Sequence, residues 1–129
     1  MATGDAERHL SMEEAARRSA VREAEQTVAD AWIGRLLTAE STAEAALGAC
    51  ERVRARVAAQ LRAAQREGDL LLLGRTHQDL EGADRAWAQA LEEYEHVRTV
   101  LDRELAAWAD ATAERVRQAW TDRPATRRR

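Results

Sequence analysis

Glu93 and His96 form the residue pair whose types and spacing come closest to metal chemistry. Residues three apart lie on the same face of a helix, so this carboxylate and imidazole could ligate one metal ion inside a helical bundle. Such sites use a second Glu-x-x-His motif, and the sequence contains none, although Glu44 is expected near the same level of a preceding helix. Both residues also fall outside the helix–helix contact predicted below. We therefore expect a solvated charged face and no cofactor, with a metal-binding helical bundle as an alternative.

Two short stretches resemble known helical families. The run from Glu92 to His96 resembles the second helix of the two-helix encapsulated ferritins, which also dimerise, and this resemblance implies a metal-binding bundle. Trp32-Ile33-Gly34 is similar to the Trp-x-Gly motif of the helical-hairpin substrates of type VII secretion. In that family the motif lies in the inter-helix turn, and a Tyr-x-x-x-Asp/Glu motif follows, whereas Arg98 stands at the fourth place after Tyr94 here. A secretion substrate of this type is an alternative, and we expect Trp32 to be a core residue.

The remaining reactive side chains indicate no enzyme. Cys50 is the single cysteine, which rules out an intrachain disulfide, and we expect a small buried hydrophobe there. No Ser-His-Asp arrangement, Gly-rich phosphate loop or zinc-ligand spacing is found in the sequence. An Arg-rich face is a candidate for nucleic-acid contact, but nearby acidic residues neutralise much of it, so this function stays an alternative. The candidate residues are Arg52, Arg56, Arg62 and Arg66.

A strict seven-residue spacing organises the second half of the chain. Large residues recur at every seventh position, and small ones fill the places between them, although Thr76 and Glu104 interrupt this second series. A period of 3.5 residues is typical of helices that pack along a coiled-coil seam. The large series is Leu73, Leu80, Trp87, Tyr94, Leu101 and Trp108. In the first half we predict a core stripe through Val21, Ala24, Val28, Trp32 and Leu36.

The composition predicts an all-α fold, because no segment alternates like a strand and Ala, Glu, Arg and Leu dominate. Gly68-Asp69 is the clearest break, which predicts a long antiparallel helical hairpin. We expect a flexible arm at 1–10, a first helical arm at 11–67, a turn region at 68–75, a second arm at 76–121 and a disordered basic tail at 122–129. A possible capping box at Ser41 leaves an alternative, in which the first arm breaks near 38–41 to give a three-helix bundle.

Folding back at Gly68-Asp69 can be tested against the charge pattern. If residues equidistant from this turn face each other, Cys50 meets Trp87 and Leu36 meets Leu101. Four flanking pairs then have opposite signs, which favours this alignment of the two arms. The pairs are Arg35 with Asp102, Arg56 with Glu81, Glu40 with Arg98, and Arg54 with Asp84.

A second apolar strip predicts self-association. Its residues flank the seam where a free hairpin would be wet, so we expect a protein partner, most simply a homodimer that forms a four-helix bundle. They are Ile33, Leu37, Leu47, Leu91 and Leu105. The basic residues are all arginines, which is typical of a GC-rich bacterial genome. The net charge of −3 and the lack of a spanning apolar run favour a cytoplasmic protein without a membrane or nucleic-acid partner. We therefore expect a non-enzymatic interaction or scaffold module that self-associates or is a small subunit of a larger protein assembly.

Overall fold

The protein is an all-α helical hairpin. The computed structural model describes residues 2–123, with side chains for residues 11–123. Within that part the chain forms two helices and no strand: α1 spans Ala2–Glu67 and α2 spans Leu70–Thr121. The two helices pack against each other, which confirms the predicted fold class.

Helix α1 is continuous for 66 residues, so the alternative with a break near 38–41 is wrong. The hydroxyl of Thr42 donates to the Thr38 carbonyl at 2.9 Å, one turn earlier in the same helix. Ser41, the N-cap of the predicted capping box, also lies in the interior of this helix and therefore does not start a new one. The helix also begins at Ala2, before the predicted start at residue 11. Helical hydrogen bonds are local and Ala, Glu and Arg are good helix formers, so the backbone of 2–10 is helical without a predicted partner.

The turn consists of Gly68 and Asp69. Gly68 has φ +70°, the left-handed conformation that glycine adopts most easily, and its N–H donates to the Ala64 carbonyl at 3.0 Å. The Asp69 carboxylate accepts the N–H groups of Leu71 and Leu72, each at 3.1 Å, and so caps α2. The predicted turn region of 68–75 is therefore too long. A single capping residue starts the second helix at Leu70.

Helix α2 ends at Thr121, ahead of Pro124. The N–H of Asp122 donates to the Gln118 carbonyl at 2.8 Å, and that of Arg123 donates to the Trp120 carbonyl at 3.3 Å, so both close the last turn. Residues 124–129 of the predicted basic tail lie outside the described residues.

The hairpin divides into two units. The turn unit comprises residues 35–102, and the terminal unit comprises the segments up to Gly34 and from Arg103 onward. The turn unit contains most of the core. Among the described side chains, its buried residues are Leu36, Ala43, Leu61, Ala64, Ala83 and Leu101, together with Thr76.

The seven-residue spacing correctly predicts which face of α2 is buried in each of the two units. All positions of the two predicted series are buried or half-buried, including Thr76 and Glu104, which interrupted the pattern. Thr76 is only 4% exposed, and its hydroxyl donates to the Leu72 carbonyl at 2.7 Å. Threonine is tolerated there because its own helix satisfies the polar atom and its methyl group remains free to pack.

In the terminal unit, the face of α1 that meets α2 is mostly polar. Ile33 is 8% exposed, but Arg22 and Gln26 are half-buried at the seam. The predicted core stripe is wrong here, because Val21 is 56%, Val28 68% and Trp32 41% exposed. The stripe lies one residue away from the seam positions, which corresponds to about 100° around a helix.

Candidate functional site

Glu93 and His96 lie on the solvated surface. Both side chains are exposed on α2, in the turn unit. Among the described side chains, no three His, Cys, Asp or Glu residues come close enough together to hold a metal ion. The structure therefore brings no further ligands to this pair.

Predicted charge pairs form across the hairpin. In the turn unit, Arg98 lies 2.8 Å from Glu40, and Arg54 Nε lies 2.7 Å from Asp84. Within the described residues no ion pair joins Arg56 to Glu81. Both observed contacts join residues nearly equidistant from Gly68-Asp69, as the predicted fold-back point requires.

Arg98 also bonds Asp102 on its own helix, at 3.5 Å. The negative charge of Asp102, followed by the hydrogen bond and charge of Glu40, raises the pKa of the Arg98 guanidinium above its ordinary value. A raised folded-state pKa adds stability at low pH, and this contribution is lost only as the pH rises through that pKa. Because arginine is already charged throughout the neutral range, this shift produces no pH switch there.

Trp87 and Arg54 form a contact that the sequence spacing did not indicate. The Arg54 guanidinium lies 4.5 Å from the centroid of the half-buried Trp87 ring, a cation–π geometry. The Trp87 Nε1 atom is buried and has no hydrogen-bond partner within the described residues. Arg54 thus covers the ring on one side and pairs with Asp84 on the other, so it acts as a packing residue of the seam.

Cys50 is half-buried and lies beside a small apolar groove of about 190 Å³. The groove is lined by Ala49, Cys50, Val53, Ala83 and Ala86. No basic or imidazole side chain lines it, so the surroundings are those of a packed thiol.

The predicted self-association strip is mostly part of the hairpin's own contact. Ile33 is buried at 8% exposure, and Leu47, Leu91 and Leu105 are half-buried. Leu37 is the exception, with 49% of its surface exposed. Placing Ile33 at an outer interface was wrong, because the intramolecular seam of α1 passes through this position.

A different apolar face is exposed, and we call it the α1 outer face: Val21, Ala24, Val28 and Trp32, in the terminal unit. Trp32 is 41% exposed, and together with Glu25 and Ala29 these residues line a groove of about 500 Å³. The lining side chains all belong to α1, so α2 does not cover the groove. The apolar spacing that predicts a core stripe is the signal for this surface.

Two apolar side chains are exposed at the turn. Leu70 and Leu71 project from the turn with 82% and 88% exposure, since the Asp69 cap places them in the first turn of α2.

The candidate nucleic-acid residues are exposed on α1 in the turn unit, and they are Arg52, Arg56, Arg62 and Arg66. Neither helix, over its described residues, contains a segment apolar enough to cross a membrane.

Comparison with known proteins adds no relative: no family model, curated protein or solved structure matches the chain.

Proposed function

We propose that this protein is a non-enzymatic helical interaction module that self-associates as a homodimer through the α1 outer face. The observation that supports this most is the exposure of Val21, Val28 and Trp32 on a single helix face. Scattered exposed apolar residues are ordinary on a soluble protein, whereas a contiguous apolar groove marks an interaction site.

The spacing of this face suits another helix. Val21, Val28 and Trp32 of this face, together with Glu25 from the lining of the same groove, follow one another at intervals of four, three and four residues, the pattern of a coiled-coil seam. A second copy of the chain presents the same face, and closed twofold pairs are the commonest assemblies of soluble proteins.

Glu25 favours an antiparallel arrangement of the two copies. In a parallel pair each Glu25 carboxylate would face its own counterpart, and like charges in contact are destabilising. In an antiparallel pair Glu25 lies beside Val28 of the other copy, and Trp32 lies beside Val21. The groove extends over about three helical turns, so the dimer is expected to be weak and reversible, at the lower end of interface sizes.

Sedimentation velocity of the full chain tests the proposal over roughly 1–500 µM, the range in which a micromolar dimer dissociates. The wild-type protein should move from monomer to dimer as concentration rises. Val28→Glu should remain monomeric, because the new carboxylate would lie beside Glu25 of the other copy and the like charges would repel each other. Leu71→Glu is the matched control, since it introduces the same charge at an exposed apolar residue outside this face.

Each result has a definite meaning. A wild-type protein that is monomeric at every concentration contradicts self-association. A dimer that survives Val28→Glu but is lost in Leu71→Glu would assign the contact to the turn and contradict the use of the α1 outer face.

A further inference from the structure

The terminal unit contains two arginines at facing seam positions. Arg22 on α1 and Arg115 on α2 are equidistant from the turn, and both are half-buried. They line one groove of about 290 Å³ between the helices of this unit, with Ser19, Glu23, Gln26, Thr112, Val116 and Ala119. In the turn unit, facing positions of the same series hold apolar pairs such as Leu36 and Leu101. Two like charges in a half-buried layer repel each other unless a negative charge lies nearby.

The protein compensates this positive charge only in part. Arg22 bonds the Asp122 carboxylate at 3.0 Å, and its side chain is 26% exposed. Arg115 donates to the neutral side-chain oxygen of Gln26, and no carboxylate pairs with it among the described residues. Glu23 also lines the groove, but its side chain is exposed and forms no ion pair within the described part. A guanidinium has five N–H donors, so most of those on both arginines are not used by these contacts.

The groove wall also holds a hydroxyl group without a hydrogen bond. Thr112 Oγ1 is buried and has no partner among the described residues. Threonine on a helix usually satisfies its hydroxyl with the carbonyl one turn earlier, as Thr76 and Thr99 do in this protein. A buried hydroxyl without a partner is costly. Thr112 Oγ1 is covered although its residue lines the groove, so it adds an unsatisfied polar group to this layer.

We propose that this groove binds one tetrahedral oxyanion, either phosphate or the phosphate group of a small monoester. The anion would lie between Arg22 and Arg115 and accept charge-assisted hydrogen bonds from both guanidinium groups. The volume fits a phosphate group and is below the usual range of pockets for larger ligands. The site lies within one chain, so it is independent of the proposed dimer.

Isothermal titration calorimetry with inorganic phosphate, at constant ionic strength set by sodium chloride, tests the site. The full chain should bind phosphate saturably, and phosphate should raise its unfolding temperature. Arg115→Gln should weaken binding by about 10- to 100-fold, the loss expected for a charged hydrogen-bond donor. Arg117→Gln is the matched control, because Arg117 is 72% exposed and pairs with Glu114 on its own helix. Its affinity should equal that of the wild type, as should the affinity of Val28→Glu.

Two results would overturn the site. One is an equal response of wild type and Arg115→Gln, which would indicate a general ionic effect. The other is no saturable binding up to roughly 50 mM phosphate. This concentration is well above a dissociation constant in the millimolar range, which is the weakest binding expected of the site. Glycerol 3-phosphate, titrated in parallel, distinguishes the source. Tighter binding than phosphate supports a monoester ligand, and weaker binding supports the free ion.

Discussion

Replacement of Leu101 by alanine tests whether the hairpin contact stabilises the fold as the burial pattern indicates. Leu101 is 1% exposed and is the largest fully buried side chain among the described residues. It belongs to the turn unit, in the predicted layer that faces Leu36, which is 8% exposed. The substitution removes apolar contacts and leaves a cavity that two rigid helices can fill only in part.

The expected cost follows from measured substitutions of this kind. Leucine-to-alanine changes in well-packed cores cost about 2–5 kcal/mol, and a small domain has a total unfolding free energy of about 5–15 kcal/mol. A two-helix seam collapses more easily than a multilayered core, so about 2–3 kcal/mol is expected. For a chain of this size that corresponds to a fall in Tm of roughly 7–11 °C.

Leu37→Ala is the matched control, because it removes the same atoms from a residue that is 49% exposed. Its cost should be below about 1 kcal/mol, as for most surface substitutions. Both variants are followed by the helical circular dichroism signal during urea and thermal unfolding, at several protein concentrations so that any dimer contribution is separated. Equal destabilisation by the two variants would refute the assigned seam.

Two further predictions concern the turn and the Arg54 contact. Gly68→Ala should lower the free energy of unfolding by about 1 kcal/mol, because Gly68 has a positive φ. Gly74→Ala should raise it by about the same amount, since Gly74 is inside α2 and an added Cβ meets nothing within 4 Å. Urea midpoints that move in the same direction for both would contradict this account. Arg54→Met keeps the aliphatic stem and removes the ion pair and the cation–π contact, so we expect a loss of about 0.5–2 kcal/mol. A double-mutant cycle with Asp84→Ala should give a coupling energy of less than about 1 kcal/mol between Arg54 and Asp84, because both side chains are exposed. A larger coupling energy would contradict this interpretation of the pair.

The hairpin itself could be predicted because several independent signals agree. Gly68 supplies the left-handed residue, Asp69 the cap, and the seven-residue series from Leu73 the buried face of α2. Strict spacing over many turns leaves little freedom in which face is buried. The Glu40–Arg98 ion pair then agrees with the predicted alignment of the two arms.

The first half of α1 could not be predicted in the same way, because hydrophobicity and burial differ there. The apolar stripe through Val21 and Val28 is one residue out of step with the seam that passes through Ile33. From sequence, an apolar stripe is interpreted as the buried face, since burial of such residues is the main stabilising term. Because α1 is continuous, the face that contacts α2 in this part is the one that continues the seam through Ile33. The Thr112 hydroxyl and the Arg22–Arg115 layer are polar, so no hydrophobicity pattern could indicate them.

This offset gives the terminal unit its character. Ile33 is the buried apolar residue of its described side chains, whereas the turn unit contains the remaining core. With so little apolar area covered, hairpin closure in the terminal unit is expected to be less favourable than in the turn unit. A polar layer at the seam and an apolar face outside would be a poor arrangement for a chain that functions alone. The same arrangement is suitable for a unit that a second copy and a bound oxyanion stabilise from outside, because each supplies an interaction that the helix pair lacks.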